Sequence, residues 1–388
     1  MERSREITVG LMKKARFSIG ILFFICGLNF ATWATRIPDF KSFLGLSDAQ
    51  LGTVLMGLPI GSLVSLPIAG WLLTKYASRW ICIIAVAMYV IVIPSLSLLS
   101  SPIALFAGLF FFGMAGDIMN IAMNTQVVSL EAKMNKIIMS SFHAVFSIGL
   151  MAGAFLGGIL EKENFSTTEH FSLVALSNIL LIPFSFPNLL TDKPVQDESK
   201  PKSSILNLGP YLITLSFIAF CGMLCEGAMA DWISLYFKEY IPNSPFPITI
   251  GFSFFAAAMV LGRFIGDTIS LKYGVSTILI LNGILLGLGM LLTLLFPSIY
   301  LKIAGCFITG IGISTIVPLI YSQAGNQKEI MPSIAIAGVS TIAYVGFLLG
   351  PVLIGYLSDF VGLDKALFLL VILGFLAAFI SKTWANSK

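Results

Sequence analysis

Asp117 stands about 13 residues into an unbroken apolar run, roughly 20 Å along a helix at 1.5 Å per residue. A charge at the centre of a membrane helix costs about 2.5 to 3.5 kcal/mol on insertion scales, so an acid at that depth needs a reason. Asn120 and Asn124 follow it at i+3 and i+7, on the same helical face, and such a face is expected to look into a wet cavity. A second acidic stretch holds Glu226 deep in another apolar run and Asp231 further outward, beside Trp232 and Tyr236 one turn apart. A carboxyl that desolvation makes willing to hold a proton can take and release one as its cavity opens to either side. Asp117 and Glu226 are therefore the candidate proton-coupling groups; a hydrogen-bonded carboxyl that only ties helices together is the plainer alternative. Asn29 and Trp33, one turn apart, would complete a polar and aromatic lining with Asn120, Asn124, Asp231, Trp232 and Tyr236. Amides beside aromatic faces suit sugar rings and other uncharged polar solutes, although Trp also anchors helices at membrane interfaces.

The elements that carry these residues follow from composition. Hydrophobic residues are 57% of the 388 and charged residues 11%, against roughly 45–50% and about 25% in a soluble domain. A bilayer core admits only helices or closed barrels, and the long unbroken apolar runs point to helices of about 20 residues. Twelve are expected, at 17–36, 49–73, 80–99, 103–127, 138–160, 170–190, 208–236, 248–268, 275–296, 299–321, 333–357 and 363–384. The first run has the basic flank of a signal peptide but continues without a small-residue cleavage site, so it reads as a retained span. The loops hold no phosphate-binding motif, nucleophile elbow or metal cluster, and the two His and five Cys lack ligand spacing. Enzymatic activity, a bound cofactor and nucleic-acid binding are not expected; the lipid bilayer and a small-molecule solute are the expected partners of a monomer.

One polar break, DKPVQDESKPKSS, has the composition of a solvated linker and divides the spans six and six. It sets an N-terminal six-helix bundle at 1–190, a linker at 191–206 and a C-terminal bundle at 207–388. Of the 23 Lys and Arg, sixteen fall in segments on the side of the termini and linker and six on the other, with Arg263 inside a span. The positive-inside rule puts both termini in the cytoplasm, as for a multi-pass protein of a bacterial inner membrane.

The two halves echo each other. Gly149, Gly153 and Gly157 match Gly346, Gly350 and Gly355 at an offset of 197 or 198; Gly70 matches Gly266 at 196; Ala31 to Trp33 echoes Ala230 to Trp232 at 199. A shared offset near half the chain length implies duplication. The link after the second span, GWLLTKYASRW, carries Lys75 and Arg79, and its counterpart GRFIGDTISLKYG carries Arg263, Asp267 and Lys272. Charges at such helix ends can latch in one state and release in another, or simply fix topology, so these five are candidate gating residues.

The stretch WATRIPDFKSFLGLSDAQLG, Asp117 with Asn120 and Asn124, His143 with Ser147 and Gly149, Glu226-Gly227 with Asp231-Trp232, and Gly346 to Pro351 together resemble the MosC-like branch of the major facilitator superfamily, related to the fucose permeases. The resemblance implies an all-α membrane protein with twelve transmembrane helices in two pseudo-symmetric six-helix bundles. It also implies a cavity lined mainly by spans one, four, seven and ten, alternating access, and a sugar-like or inositol-like solute with protons as the coupling ion. Fucose permeases carry an acid in the first span, where this chain has Asn29. The leading expectation is a proton-coupled symporter of a small polar solute; a proton-coupled exporter of drugs or metabolites and a non-transporting sensor are the alternatives.

Overall fold

The computed structural model describes residues 2–134, 138–191, 209–326 and 332–386, with side chains described at all of these but 2–9, 140, 267, 332–334, 337 and 386. Among them there is no strand. The helices are α1 (Glu2–Leu44), α2 (Asp48–Leu55), α3 (Gly57–Lys75), α4 (Ser78–Leu96), α5 (Pro102–Met134), α6 (Met139–Lys162), α7 (Thr167–Ser185), α8 (Pro210–Tyr240), α9 (Ile250–Tyr273), α10 (Val275–Leu295), α11 (Ile299–Ser314), α12 (Ile316–Gly325), α13 (Pro332–Val361), α14 (Leu363–Ala366) and α15 (Phe368–Asn386). Eleven stretches are long and apolar enough to cross a bilayer, and Ile250–Gly266 within α9 is a shorter apolar helix. Together they make the twelve spans of an all-α membrane protein. All but the first residue of the linker expected at 191–206 lies outside the described residues.

Two spans are broken, each four residues before a proline. α2 ends at Leu55 ahead of Pro59, and α11 ends at Ser314 ahead of Pro318. A proline ring clashes with the carbonyl four residues back and offers that carbonyl no N–H, so the helix opens there. At the second break the Asn282 amide donates to Thr315 Oγ1 at 2.7 Å.

By contacts the chain divides into one unit of Met1–Asp39 with Val54–Glu198 and another of Phe40–Thr53 with Ser199–Lys388. The segment 40–53 joins the second unit through polar groups. Lys41 Nζ lies 2.5 Å from both Asp48 and Glu239, Lys238 donates to Ser42 at 2.9 Å, Ser47 to Asp359 at 2.8 Å, and Ser358 to Asp48.

Each unit is assembled on close helix contacts at glycine, and the contacts repeat. In the first unit α6 lies against α1, where a Cβ on Gly149 would collide with the Phe24 carbonyl and one on Gly153 would reach 2.8 Å from that of Leu28. In the second unit α13 meets α8 the same way, Gly346 at 2.5 Å from the Phe220 oxygen and Gly350 at 3.2 Å from that of Leu224. The α3–α5 contact of Gly113 on the Leu58 carbonyl returns as the α9–α11 contact of Gly310 on that of Phe255. Small residues let backbones approach where lipid supplies no hydrophobic drive. The offsets are 196 on the α1 and α8 side and 197 elsewhere, so Trp33 is equivalent to Met229, and its likeness to Trp232 is three residues out of register.

Candidate functional site

In the first unit α5 carries the Asp117 side chain into a buried position against α3. Ser65 Oγ lies 2.9 Å from Asp117 Oδ2, and Asn120 hydrogen-bonds to the same carboxyl. Asn124 Nδ2 donates to Asn120 Oδ1 at 2.9 Å, and Asn124 Oδ1 is buried with no hydrogen-bond partner among the described residues. The helical spacing of 117, 120 and 124 thus produces one connected polar strip that ends in an open acceptor. From α4 the Tyr89 hydroxyl reaches Cys26 Sγ on α1 at 3.8 Å. Tyr89 comes this close to the strip because Gly116 has no Cβ, which would stand 2.7 Å from the hydroxyl.

Asn29 faces elsewhere. Its amide and that of Asn178 on α7 exchange hydrogen bonds of 2.8 and 3.3 Å, and Asn29 also donates to the Ile25 carbonyl at 2.6 Å. Both residues are fully buried, as is Trp33. Removing one amide strands the other, at about 1–3 kcal/mol. Asn29→Ala is therefore expected to lower the thermal midpoint by several degrees, and Asn29→Leu with Asn178→Leu to recover most of that loss. A double substitution no more stable than the single one would show that the pair is not what holds α1 to α7.

In the second unit Glu226 on α8 pairs with Arg263 on α9 at 3.2 Å, which brings together one expected proton group and one expected gating group. Asp231 is 9% exposed and has no side-chain partner among the described residues. Trp232 Nε1 and, one turn from Asp231, Ser234 Oγ are likewise buried without one. Tyr236 accepts from Lys302 Nζ at 2.6 Å, while the same ammonium donates to the Thr293 carbonyl at 2.8 Å. Thr293 lies in the last turn of α10, where carbonyls lack helical partners and a cation is favoured.

Among the expected gating groups, Lys75 lies over Trp71 at 4.4 Å, Arg79 over Phe186 at 4.5 Å and Lys272 over Tyr273 at 5.2 Å. None of the three has a carboxylate partner among the described residues. The Asp267 side chain lies outside them.

Ser65, Asn178, His170 and Lys302 are among the buried polar residues that the sequence expectations for the site do not include. His170 accepts from Arg36 Nε at 3.0 Å, and the same guanidinium holds Asp39 and the Phe165 carbonyl, both at 2.9 Å. A hydroxyl or amide within an apolar run gives no sign of its partner. The signal for Lys302 is its place three residues into a span that follows a short outer turn.

A sequence profile of the Major Facilitator Superfamily matches residues 19–328. An uncharacterized MFS-type transporter of Yersinia pestis is 33% identical over 354 residues, covering 90% of each chain. Membrane protein MosC of Rhizobium meliloti is 28% identical over 362 residues, covering 93% of this chain and 88% of that one. Among solved structures, one of the nucleoside transporter NupG superposes with a TM-score of 0.78 at 15% identity over 95% of this chain and 99% of that one. A bacterial homolog of the human lysosomal transporter Spinster gives 0.77 at 14% identity over 97% of each. At those identities the structures speak for the fold alone. The twelve spans, their duplication in two six-helix bundles and the matches over most of the chain agree: this protein is a membrane transporter of the major facilitator superfamily.

Proposed function

We propose that the chain moves a small polar solute, sugar-like or an inositol derivative, by alternating access in symport with protons, as a monomer in a bacterial inner membrane with both termini cytoplasmic. The observation that carries this reading is Asp117, a buried carboxyl on a spanning helix whose neighbours are neutral donors and which pairs with no cation among the described residues. It is free to exchange a proton without breaking an ion pair. Glu226, the other acid expected to do so, is already matched by Arg263, so we assign the coupled proton to Asp117 and a conformation-dependent pair to Glu226 with Arg263. In this reading the solute contacts are Asn120 and Asn124 in the first unit and Asp231, Trp232 and Tyr236 in the second, supported by the Asn124 acceptor and the Trp232 and Asp231 groups that have no partner among the described residues. Asn29 and Trp33 lie fully buried within the first unit, where Asn178 takes up the Asn29 amide. Lys75, Arg79, Asp267 and Lys272 are assigned to gating with Arg263; no cofactor beyond the coupling proton is invoked. The space beside the α6 glycines is taken by α1: the Phe24 and Leu28 carbonyls and the Ala31 side chain at Gly149 and Gly153, and the Thr35 side chain at Gly157.

A thermal-shift screen of the purified protein against sugars, polyols, organic acids and apolar cationic drugs tests the solute class. A solute present at 100 times its Kd stabilises by about 2.7 kcal/mol. At least one neutral sugar or polyol should raise the midpoint and be taken up by proteoliposomes under an inward pH gradient. Stabilisation by the drugs alone would reject the reading.

A further inference from the structure

The Ser65 hydroxyl, fully buried on α3, makes two contacts: 2.9 Å to Asp117 Oδ2 and 2.7 Å to the carbonyl oxygen of Ser62. A hydroxyl has one proton to give and two lone pairs that accept. We propose that Ser65 is a positioning residue for Asp117, a swivelling hydroxyl that keeps the carboxyl hydrogen-bonded in both of its protonation states; this rests on the reading of Asp117 as the proton carrier. With the carboxyl ionised, the Ser65 O–H donates to Oδ2. When a proton arrives on Oδ2, that new O–H donates to Ser65 Oγ, and the serine proton turns to the Ser62 carbonyl. One proton is gained by the carboxyl, none leaves the serine, and no heavy atom has to move.

The duplicated half supplies an internal control. At the offset of 197, Ser65 is equivalent to Gly262 and Asp117 to Ser314. There the Ser314 hydroxyl donates to the Ile311 carbonyl of its own helix at 2.7 Å, and it fills the space that a Cβ on Gly262 would need. An acid faced by a hydroxyl from the neighbouring helix stands in one unit; at the equivalent places of the other stand a serine and a glycine. The titratable groups that act on Asp117 from neighbouring helices are the Tyr89 phenol on α4 and the Cys26 thiol on α1. Both types are uncharged near neutral pH in water, and burial adds no charge to them. From α3 the group facing Asp117 is Ser65, and on α5 itself it is the Asn120 amide.

A donor to a carboxylate makes a charge-assisted bond roughly twice as strong as the neutral bond it becomes after protonation. Loss of the hydroxyl therefore penalises the ionised form more, and the carboxyl should hold its proton to higher pH. Infrared difference spectra of the full-length protein in liposomes, recorded across pH, show the carbonyl stretch of protonated carboxyls without any need for solute. The titrating band that Asp117→Asn removes belongs to Asp117. In Ser65→Ala its midpoint is expected to rise by on the order of one pH unit, and Ser65→Thr, which keeps the hydroxyl, should return it to the native value. A Ser65→Ala band at or below the native midpoint overturns the role of Ser65 and leaves Asp117 as the carrier. If Asp117→Asn removes no titrating band, the carrier assignment falls and this inference with it.

Discussion

Proteoliposomes carrying the Asp117→Asn protein should equilibrate solute across the membrane but accumulate none under an imposed pH gradient. For one proton per solute, each pH unit is worth 1.36 kcal/mol, so the native protein is expected to reach about tenfold accumulation per unit of gradient and the variant none. The substitution suits the site. Asparagine keeps the shape of the carboxyl, its Oδ1 still accepts from Ser65 at the present 2.9 Å, and its Nδ2 is accepted by Asn120 once the Asn120 and Asn124 amides turn over, the second using its open Oδ1, so folding and the solute lining should survive. What it cannot do is bind and release a proton. Solute exchange in the absence of a gradient controls for damage to the transport cycle. Undiminished gradient-driven accumulation by the variant, with native exchange, would show that the coupled proton travels by another group.

Much of this arrangement is legible in the amino-acid sequence, and the limits of that legibility are physical. Length of apolar run and the cost of an unsatisfied backbone in lipid dictate helices, so most spans are legible to within a few residues; α1, α5 and α8 run on beyond the expected ends because helix outside the apolar run is not bound by that constraint. The glycine period was legible because backbone contact leaves no room for a side chain. The α1 echo was misaligned by three residues because Trp33 and Trp232 share a residue type and not a packing position. Helical phase placed Asp117, Asn120 and Asn124 on one strip, since all three lie on one element. What could not be read was every partner supplied by another helix. Asn29 had the depth of a solute ligand, yet Asn178, 149 residues away, takes up its amide. Lys302 is enclosed by Tyr236 and the end of α10 and is only 7% exposed, partners that its own span does not announce.

Glu226 illustrates the difference that a partner makes, and it carries a second large expected effect. Its carboxylate lies 3.2 Å from Arg263, with 23% and 17% of the two side chains exposed. At the equivalent places in the first unit stand Phe30 and Leu66, so the fold does not require charge there. A guanidinium does not deprotonate in a protein, and Glu226→Gln therefore takes a counter-charge away from a mostly buried cation. Stranding one member of a fully buried pair costs about 3–5 kcal/mol; residual hydration at this exposure reduces that to about 1–3 kcal/mol. The thermal midpoint of Glu226→Gln is accordingly expected to fall by several degrees, and Glu226→Gln with Arg263→Gln to regain at least half of the loss, a coupling that a double-mutant cycle reads directly. In the infrared titration the Asp117 band should keep its place in both variants. If instead Glu226→Gln removes the titrating band and leaves the midpoint of unfolding untouched, Glu226 is the proton carrier, and its contact with Arg263 is incidental to stability.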